Sequence, residues 1–332
     1  MSVYDTVISS RIRLARNVKG LNFPTNFKQF EHTAILRFVQ KARATVESLT
    51  DCDFYFMQSI DELKRQSLIE MHLISPNLAK NPYGAVVISK DKSVSVMINE
   101  EDHLREQVFA EGLNLEAVWQ VIDRIDDALI DNLGIAFDEK FGFLTSCPTN
   151  VGTGMRASVM MFLPALNMLN DLSHKTPEFA KREGFTFRGA YGEGSEALGN
   201  VFQLSNSLTL GMSETDIVRA VTGMALEICQ LEERARALLL NRMTIPLKDR
   251  ICRSWGLLTN AYIMSSKELM TLLSDVKLGI ILKILPKYDL KKLDKLAVLS
   301  GSATICQGNP DLTSDQRDIK RAAFVKRAIL GE

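Results

Sequence analysis

The chain has 332 residues, enough for one large domain or two ordinary ones. Its 46% hydrophobic and 24% charged residues are those of a soluble globular protein. Forty basic side chains balance forty acidic ones, which excludes a global field toward nucleic acid or membrane and leaves anion binding to local arginine clusters.

From the N-terminus, residues 1–16 carry no apolar core of signal-peptide length, and a cytoplasmic chain is expected. Arg11 and Arg13 follow in SSRIR, and on a strand they would project from one face. Residues 53–57, 85–89 and 94–98 read as strands, the last two joined through the polar loop 90–93 into a hairpin. Ser59 with Glu62 makes a capping box that predicts a helix to about Ile69. Leu115, Val118, Trp119, Ile122, Ile125, Leu129 and Leu133 recur on one helical face. Further strands are expected over 141–146, 157–163, 185–188 and 200–205. The most apolar run, 157–169, is too short to span a bilayer and contains Pro164.

A long helix is expected to start at Ser213, with Asp216 at the capping-box position, and every periodic segment beyond Pro246 is helical. Ser265 with Glu268 and Thr313 with Gln316 mark two more helix starts. The fold class that results is α+β: an antiparallel sheet flanked by helices, followed by a small all-helical domain. The boundary is placed near 242–250, giving domains 1–242 and 243–332. The five cysteines (Cys52, Cys147, Cys229, Cys252, Cys306) are odd in number and widely spaced, as reduced thiols would be. Without a CxxC pair, and with four scattered histidines, no zinc site is expected.

The chemistry concentrates in short loops. Arg11, Arg13, Arg105 in NEEDHLR, Arg156 in GTGMR and Arg188 in RGAYGEG each sit beside glycine, asparagine, serine or acidic residues. A planar guanidinium stays charged and presents paired donors that match phosphate oxygens, so five together would suit a nucleotide polyphosphate, although any single arginine is more often a solvated surface residue. No GxxxxGK[ST] loop exists, and Gly192-Glu193-Gly194 lacks the third glycine of GxGxxG. In CPTNVGT, Pro148 sets the backbone after Cys147 while Gly152 allows close approach.

Taken together, CPTNVGT, GTGMRASV, SSRIR, NEEDHLR and RGAYGEGSEA resemble the catalytic domain of phosphagen (guanidino) kinases, in order and spacing, over about residues 6–240. The resemblance implies a glutamine-synthetase-like sheet, ATP as phosphoryl donor and Mg²⁺ as its companion, with no dedicated protein metal site. It implies a nucleotide site formed by Ser9, Ser10, Arg11, Ile12, Arg13, His72, Arg105, Arg156, Ala157, Ser158, Val159, Met160, Arg188, Gly189, Ala190, Tyr191 and Gly192. Met160 departs from the pattern, since many relatives carry histidine there. Glu101 and Glu193 match the carboxylates that hold the acceptor guanidinium, with Glu193 expected to be the base and Cys147 the reactive thiol beside it.

SSRIR begins at Ser9, so the chain is expected to lack the all-helical N-terminal domain of the small-molecule kinases and to have an open pocket that admits a protein side chain. Arg317-Asp318-Ile319-Lys320-Arg321-Ala322 is similar to the RDxxRA motif of bacterial protein arginine kinases. That resemblance implies a homodimer acting on exposed arginines of proteins, a heat-shock repressor among them, with a Clp-type protease downstream and an activator protein as a further partner. Arg317, Asp318, Arg321 and Ala322 become a regulatory phosphoarginine site, with the two arginines on one helical face; an exposed salt-bridged helix would produce the same spacing. A small-molecule arginine kinase and an inactive phosphoarginine-binding adaptor remain alternatives.

Overall fold

Residues Val7–Arg16 form strand β1, where half-buried Ile8, Ser9, Arg11 and Arg13 are interleaved with buried Ser10, Ile12 and Leu14. The computed structural model describes residues 3–27, 30–171, 175–190, 197–242 and 244–331. The other sheet strands are β2 (Asp53–Phe56), β3 (Ala85–Ile88), β4 (Val94–Ile98) and β5 (Leu104–Glu111), while β6 (Phe137–Asp138) and β7 (Gly142–Phe143) form a separate ribbon. Strands β8 (Met155–Phe162), β9 (Phe185–Gly189) and β10 (Val201–Asn206) complete an eight-stranded sheet in the order β2-β3-β4-β5-β1-β8-β10-β9. The register is antiparallel from β2 through to β1, and the hairpin expected through loop 90–93 pairs Ala85 with Ile98 and Ile88 with Ser95.

The helices are α1 (Glu31–Arg43), α2 (Glu47–Thr50), α3 (Glu62–Glu70), α4 (Pro76–Lys80), α5 (Leu115–Leu133), α6 (Pro164–Met168) and α7 (Lys175–Arg182). They continue as α8 (Glu214–Arg242), α9 (Thr244–Asn260), α10 (Ser266–Ile281), α11 (Leu290–Leu299), α12 (Ser302–Cys306) and α13 (Ser314–Leu330). Among the described residues no helix is long and apolar enough to cross a membrane.

Compactness divides the chain into two units. The first comprises 9–159 and 205–223. In it, Leu115, Val118, Ile122, Ile125 and Leu129 bury the predicted face of α5, and Gly134 closes that helix in a left-handed cap. A second cluster packs Leu68 and Leu78 from α3 and α4 against Val86, Ile88 and Met97.

The second unit comprises the described residues of 1–8, 160–204 and 224–332. Its core joins Leu258, Leu269, Leu273, Val276, Leu296, Val325 and Ile329. Helix α10 also reaches the strand region: Asn200 Nδ2 donates to Ser274 Oγ at 2.6 Å, and Lys277 Nζ lies 4.8 Å from the Phe162 ring while pairing with Asp294 at 2.6 Å. The buried Glu232 carboxylate accepts the Ala165 and Leu166 N–H groups at the start of α6. The last helices therefore share packing with 160–204, and compactness cuts elsewhere than between 242 and 243.

Three local expectations change. Helix α3 is capped by Asp61, which accepts from Lys64 N at 2.7 Å, whereas Ser59 donates back to Phe56 O within a short 3₁₀ turn. The strand expected over 141–146 shrinks to β7, because Phe143 exchanges backbone bonds with Gly152 and Ser146 N turns to the Asp102 carboxylate. Helices α1, α2, α4, α6 and α7 form where the sequence predicts no helix. Ser265 and the Thr313–Gln316 capping box start α10 and α13 as expected.

Candidate active site

Strand pairing decides which side chains of the first unit share a surface. Opposite residues on paired strands point to the same face. In β1–β5, Arg11 stands opposite Phe109, Arg13 opposite Gln107 and Ala15 opposite Arg105, and Met97 of β4 stands opposite Arg105 in turn. Arg11 Nε donates to Ser158 Oγ at 3.4 Å, which brings β8 and its alternate residue Arg156 to that face. Four guanidinium groups from three neighbouring strands thus line one half-buried surface. Ser10, Ile12, Ala157 and Val159 are buried on the alternate positions, so their side chains face the core and only their backbone belongs to the arginine surface. Ser10 Oγ, for instance, donates to Gly112 O and accepts from Asn114 N at the entrance to α5.

His72 borders this surface in a left-handed backbone conformation, φ 59°. Gln107 Nε2 donates to the carbonyls of His72 and Leu73, which fixes the segment on β5. Burial, and then the charge of Arg11, pushes the imidazole down to about 4, so it is neutral at physiological pH. It thus lies close enough to Arg11, on the arginine surface, to feel its charge.

The acidic turn after β4 is differentiated residue by residue. Glu100 pairs with Arg105 at 2.9 Å and accepts from Ser75 Oγ at 2.6 Å and from Glu101 N at 2.9 Å. Burial alone would raise its proton affinity, but Arg105 and these donors outweigh it and hold the carboxyl below the ordinary range. Glu101 is exposed, and partial desolvation with the charges of Asp102 and Glu100 pushes it above that range. Asp102 is buried, and its Oδ1 accepts from Asn17 Nδ2 and from Ser146 N, both at 2.6 Å. The turn that presents Glu101 is thereby bonded to the residue before Cys147.

Cys147 is half-buried, its sulfur 3.0 Å from Thr149 Oγ1. Its loop is shaped by Gly152 at φ +115°, where a Cβ would meet the Thr209 carbonyl at 2.2 Å. Asn17, Asp102, Asn206 and Thr209 organise this region without having stood out in the sequence. Apart from Asp102, which lies in NEEDHLR, no local signal marks them, because each acts on residues far along the chain.

Within the second unit, exposed Arg188 and then Gly189 end β9, Ala190 follows, and Met160 is half-buried on β8. Tyr191, Gly192 and Glu193 lie outside the described residues. In α13, Arg321 is 1% exposed, with Nε donating to Ser300 O, Nη1 to Met264 O and to Asp318, and Nη2 to Ser302 Oγ. Its donors are taken up inside the fold, so the expected two-arginine grip reduces to half-buried Arg317 beside Asp318. Ala322 is buried. Among the described residues no cluster of three or more His, Cys, Asp or Glu could hold a metal ion.

Two family models match the chain: the ATP:guanido phosphotransferase C-terminal catalytic domain over residues 34–235, and the Protein-arginine kinase McsB C-terminal domain over 244–331. Similar proteins include the protein-arginine kinase of Caldanaerobacter subterraneus subsp. tengcongensis, 45% identical over 98% of this chain and 97% of that one. That of Shouchella clausii is 44% identical over 98% and 92%. Among solved structures, a lombricine kinase aligns with TM-score 0.63 at 25% identity, covering 70% of this chain and 68% of its own. The duplicated taurocyamine kinase from Schistosoma mansoni, with bound transition state analog components, aligns with TM-score 0.63 at 26% identity over 77% of this chain and 38% of its own.

Proposed function

Because the chain belongs to the protein-arginine kinase family of ATP:guanido phosphotransferases, we propose that it transfers the γ-phosphoryl group of ATP to arginine side chains of proteins. The observation that carries this reading is the pairing of a four-arginine surface with an acidic turn bonded, through Asp102, to the cysteine loop. Arg11, Arg13, Arg105 and Arg156 fit a polyphosphate in charge and in donor geometry. Mg²⁺, when bound with the nucleotide, would neutralise part of its phosphate charge.

An arginine guanidinium is protonated and delocalised, which makes it a poor nucleophile. Glu101 is suited to orient it, because its carboxylate is exposed on the turn after β4. Glu193 remains our assignment for the base and Arg188 for a fifth phosphate contact, both from sequence. Cys147 would border the acceptor. The γ-phosphoryl transition state spreads charge over oxygens, so fixed cations and alignment supply most of the catalysis.

The wider assignment also extends to an activator protein, a heat-shock repressor among the targets, a Clp-type protease pathway, a homodimer and a cytoplasmic setting. Domain 243–332 is assigned to dimerisation and to reading phosphoarginine, with Arg317 as the phosphoryl contact, Asp318 facing the cationic remainder and Arg321 holding the motif in place. Incubation with ATP and an arginine-rich protein, followed by mass spectrometry for acid-labile phosphoarginine, tests the activity. Phosphorylation of free arginine alone would replace this reading with a small-molecule kinase. Phosphoarginine binding without turnover would replace it with an adaptor.

A further inference from the structure

The turn after β10 touches both sides of the candidate site. At its start, Asn206 is 6% exposed; its carbonyl accepts from Arg156 Nη2 at 3.4 Å and its Oδ1 accepts from Ala157 N at 2.9 Å. Its Nδ2 donates to Met155 O and Leu208 O, which locks the turn onto the strand carrying Arg156. Three residues on, Thr209 is 8% exposed and reaches the cysteine loop. Its hydroxyl donates to Val151 O at 2.7 Å and is shared with Thr149 O at 3.0 Å. Its carbonyl accepts from Thr153 N at 2.9 Å and from Thr153 Oγ1 at 3.2 Å. Thr149 is the residue whose own hydroxyl lies against the Cys147 sulfur.

We propose that Thr209 is a positioning residue which, through the Asn206–Thr209 turn, sets the register of the Cys147 loop against Arg156. This inference rests on the reading that Arg156 serves the phosphoryl donor and Cys147 borders the acceptor. The physical reason is economy of connection: four consecutive residues separate the hydrogen bonds to Arg156 from those to the cysteine loop, so a short stretch of backbone links the two holds. In-line transfer depends on that spacing, and an error near 1 Å costs up to about a hundredfold. The Thr209 hydroxyl is the side-chain hold on the loop. Gly152 supports the arrangement, because any larger residue would drive the Thr209 carbonyl away.

The test compares Thr209→Val, nearly the same shape without the hydroxyl, with Thr209→Ser, which keeps it. Both are purified as the full chain, with folding checked by circular dichroism. In Thr209→Val we expect KM for an arginine-bearing protein to rise and kcat to fall, together about ten- to hundredfold in kcat/KM, at ATP affinity within about twofold of the parent. Alkylation of Cys147 by iodoacetamide, followed by mass spectrometry, should accelerate at least about threefold as the loop loosens. Thr209→Ser should stay within about threefold of the parent in both. Parent-like kcat/KM and alkylation in Thr209→Val overturn the proposal. So does a folded Thr209→Ser that has lost more than about tenfold, since the hydroxyl would then not be what matters; this arm stands even if the valine variant fails to fold. Alkylation needs no turnover. A parent that makes no phosphoarginine therefore defeats the functional reading separately from the hold of Thr209 on Cys147.

Discussion

His72 combines a left-handed backbone with burial and a cationic neighbour, and the last two bear on its protonation. Its proton affinity is depressed from 6.5 to about 4 in the fold. Between those values the unfolded chain binds a proton that the folded chain does not, so stability falls as pH drops through that window and is untouched above it. Going from pH 7 to 4, the parent should lose up to about 3 kcal/mol relative to His72→Gln, measured by urea denaturation across the range. A difference between parent and variant that does not change with pH would mean that His72 is not a buried neutral group. For function, a neutral imidazole can contact a nucleotide without adding to the charge of Arg11.

At the scale of elements, β1, α5 and the loop entering β8 are joined by one buried cation. Arg16 is 1% exposed, forks onto Asp126 with Nε at 2.9 Å and Nη2 at 2.6 Å, donates to Ala15 O and Thr153 O, and lies 3.5 Å from the Phe143 ring centroid. Beside it, burial and the Asp126 charge push Glu106 well above the carboxylate range against the opposing pull of Arg16. Removing Arg16 would strand Asp126 in the core. Arg16→Met is expected to cost about 3–5 kcal/mol in chemical denaturation, with much of it recovered in the Arg16→Met, Asp126→Leu double variant. A loss under about 1 kcal/mol for the single variant would mean that these elements do not depend on the cluster. Gly154 shares the same constraint, since a Cβ there would stand 2.6 Å from Arg16 Nη1.

For the molecule as a whole, the packing of α10 on 160–204 makes the C-terminal helices more than an appendage. A chain ended at residue 242 would lose Ser274 from Asn200 and Lys277 from Phe162. That truncation is expected to lower the melting temperature by at least about 5 °C or to abolish a cooperative transition, as read by calorimetry. If residues 1–242 melt cooperatively at the parent temperature, the helical region is instead an independent domain. Residues 244–331 hold their own apolar cluster across α9, α10, α11 and α13.

By itself, the sequence determined whatever is written within a few residues: the β3–β4 hairpin, the apolar face of α5, the caps at Ser265 and Thr313, and the motifs that identify the family. Hydrogen bonds of caps and turns span two to four residues, and strand and helix periods are equally short, so the string displays them. Long-range placement decided the rest. Arg317 and Arg321 look equivalent in sequence, yet Arg321 is consumed by Met264 and Ser300, 57 and 21 residues away. Arg16 reads like its neighbours Arg11 and Arg13, but strand parity turns it inward to Asp126, 110 residues on. Asp102 and Thr209 acquire their roles across 44 and 60 residues. Such roles depend on which strands pair and in what register, and a one-residue slip would exchange the arginine surface for the core face.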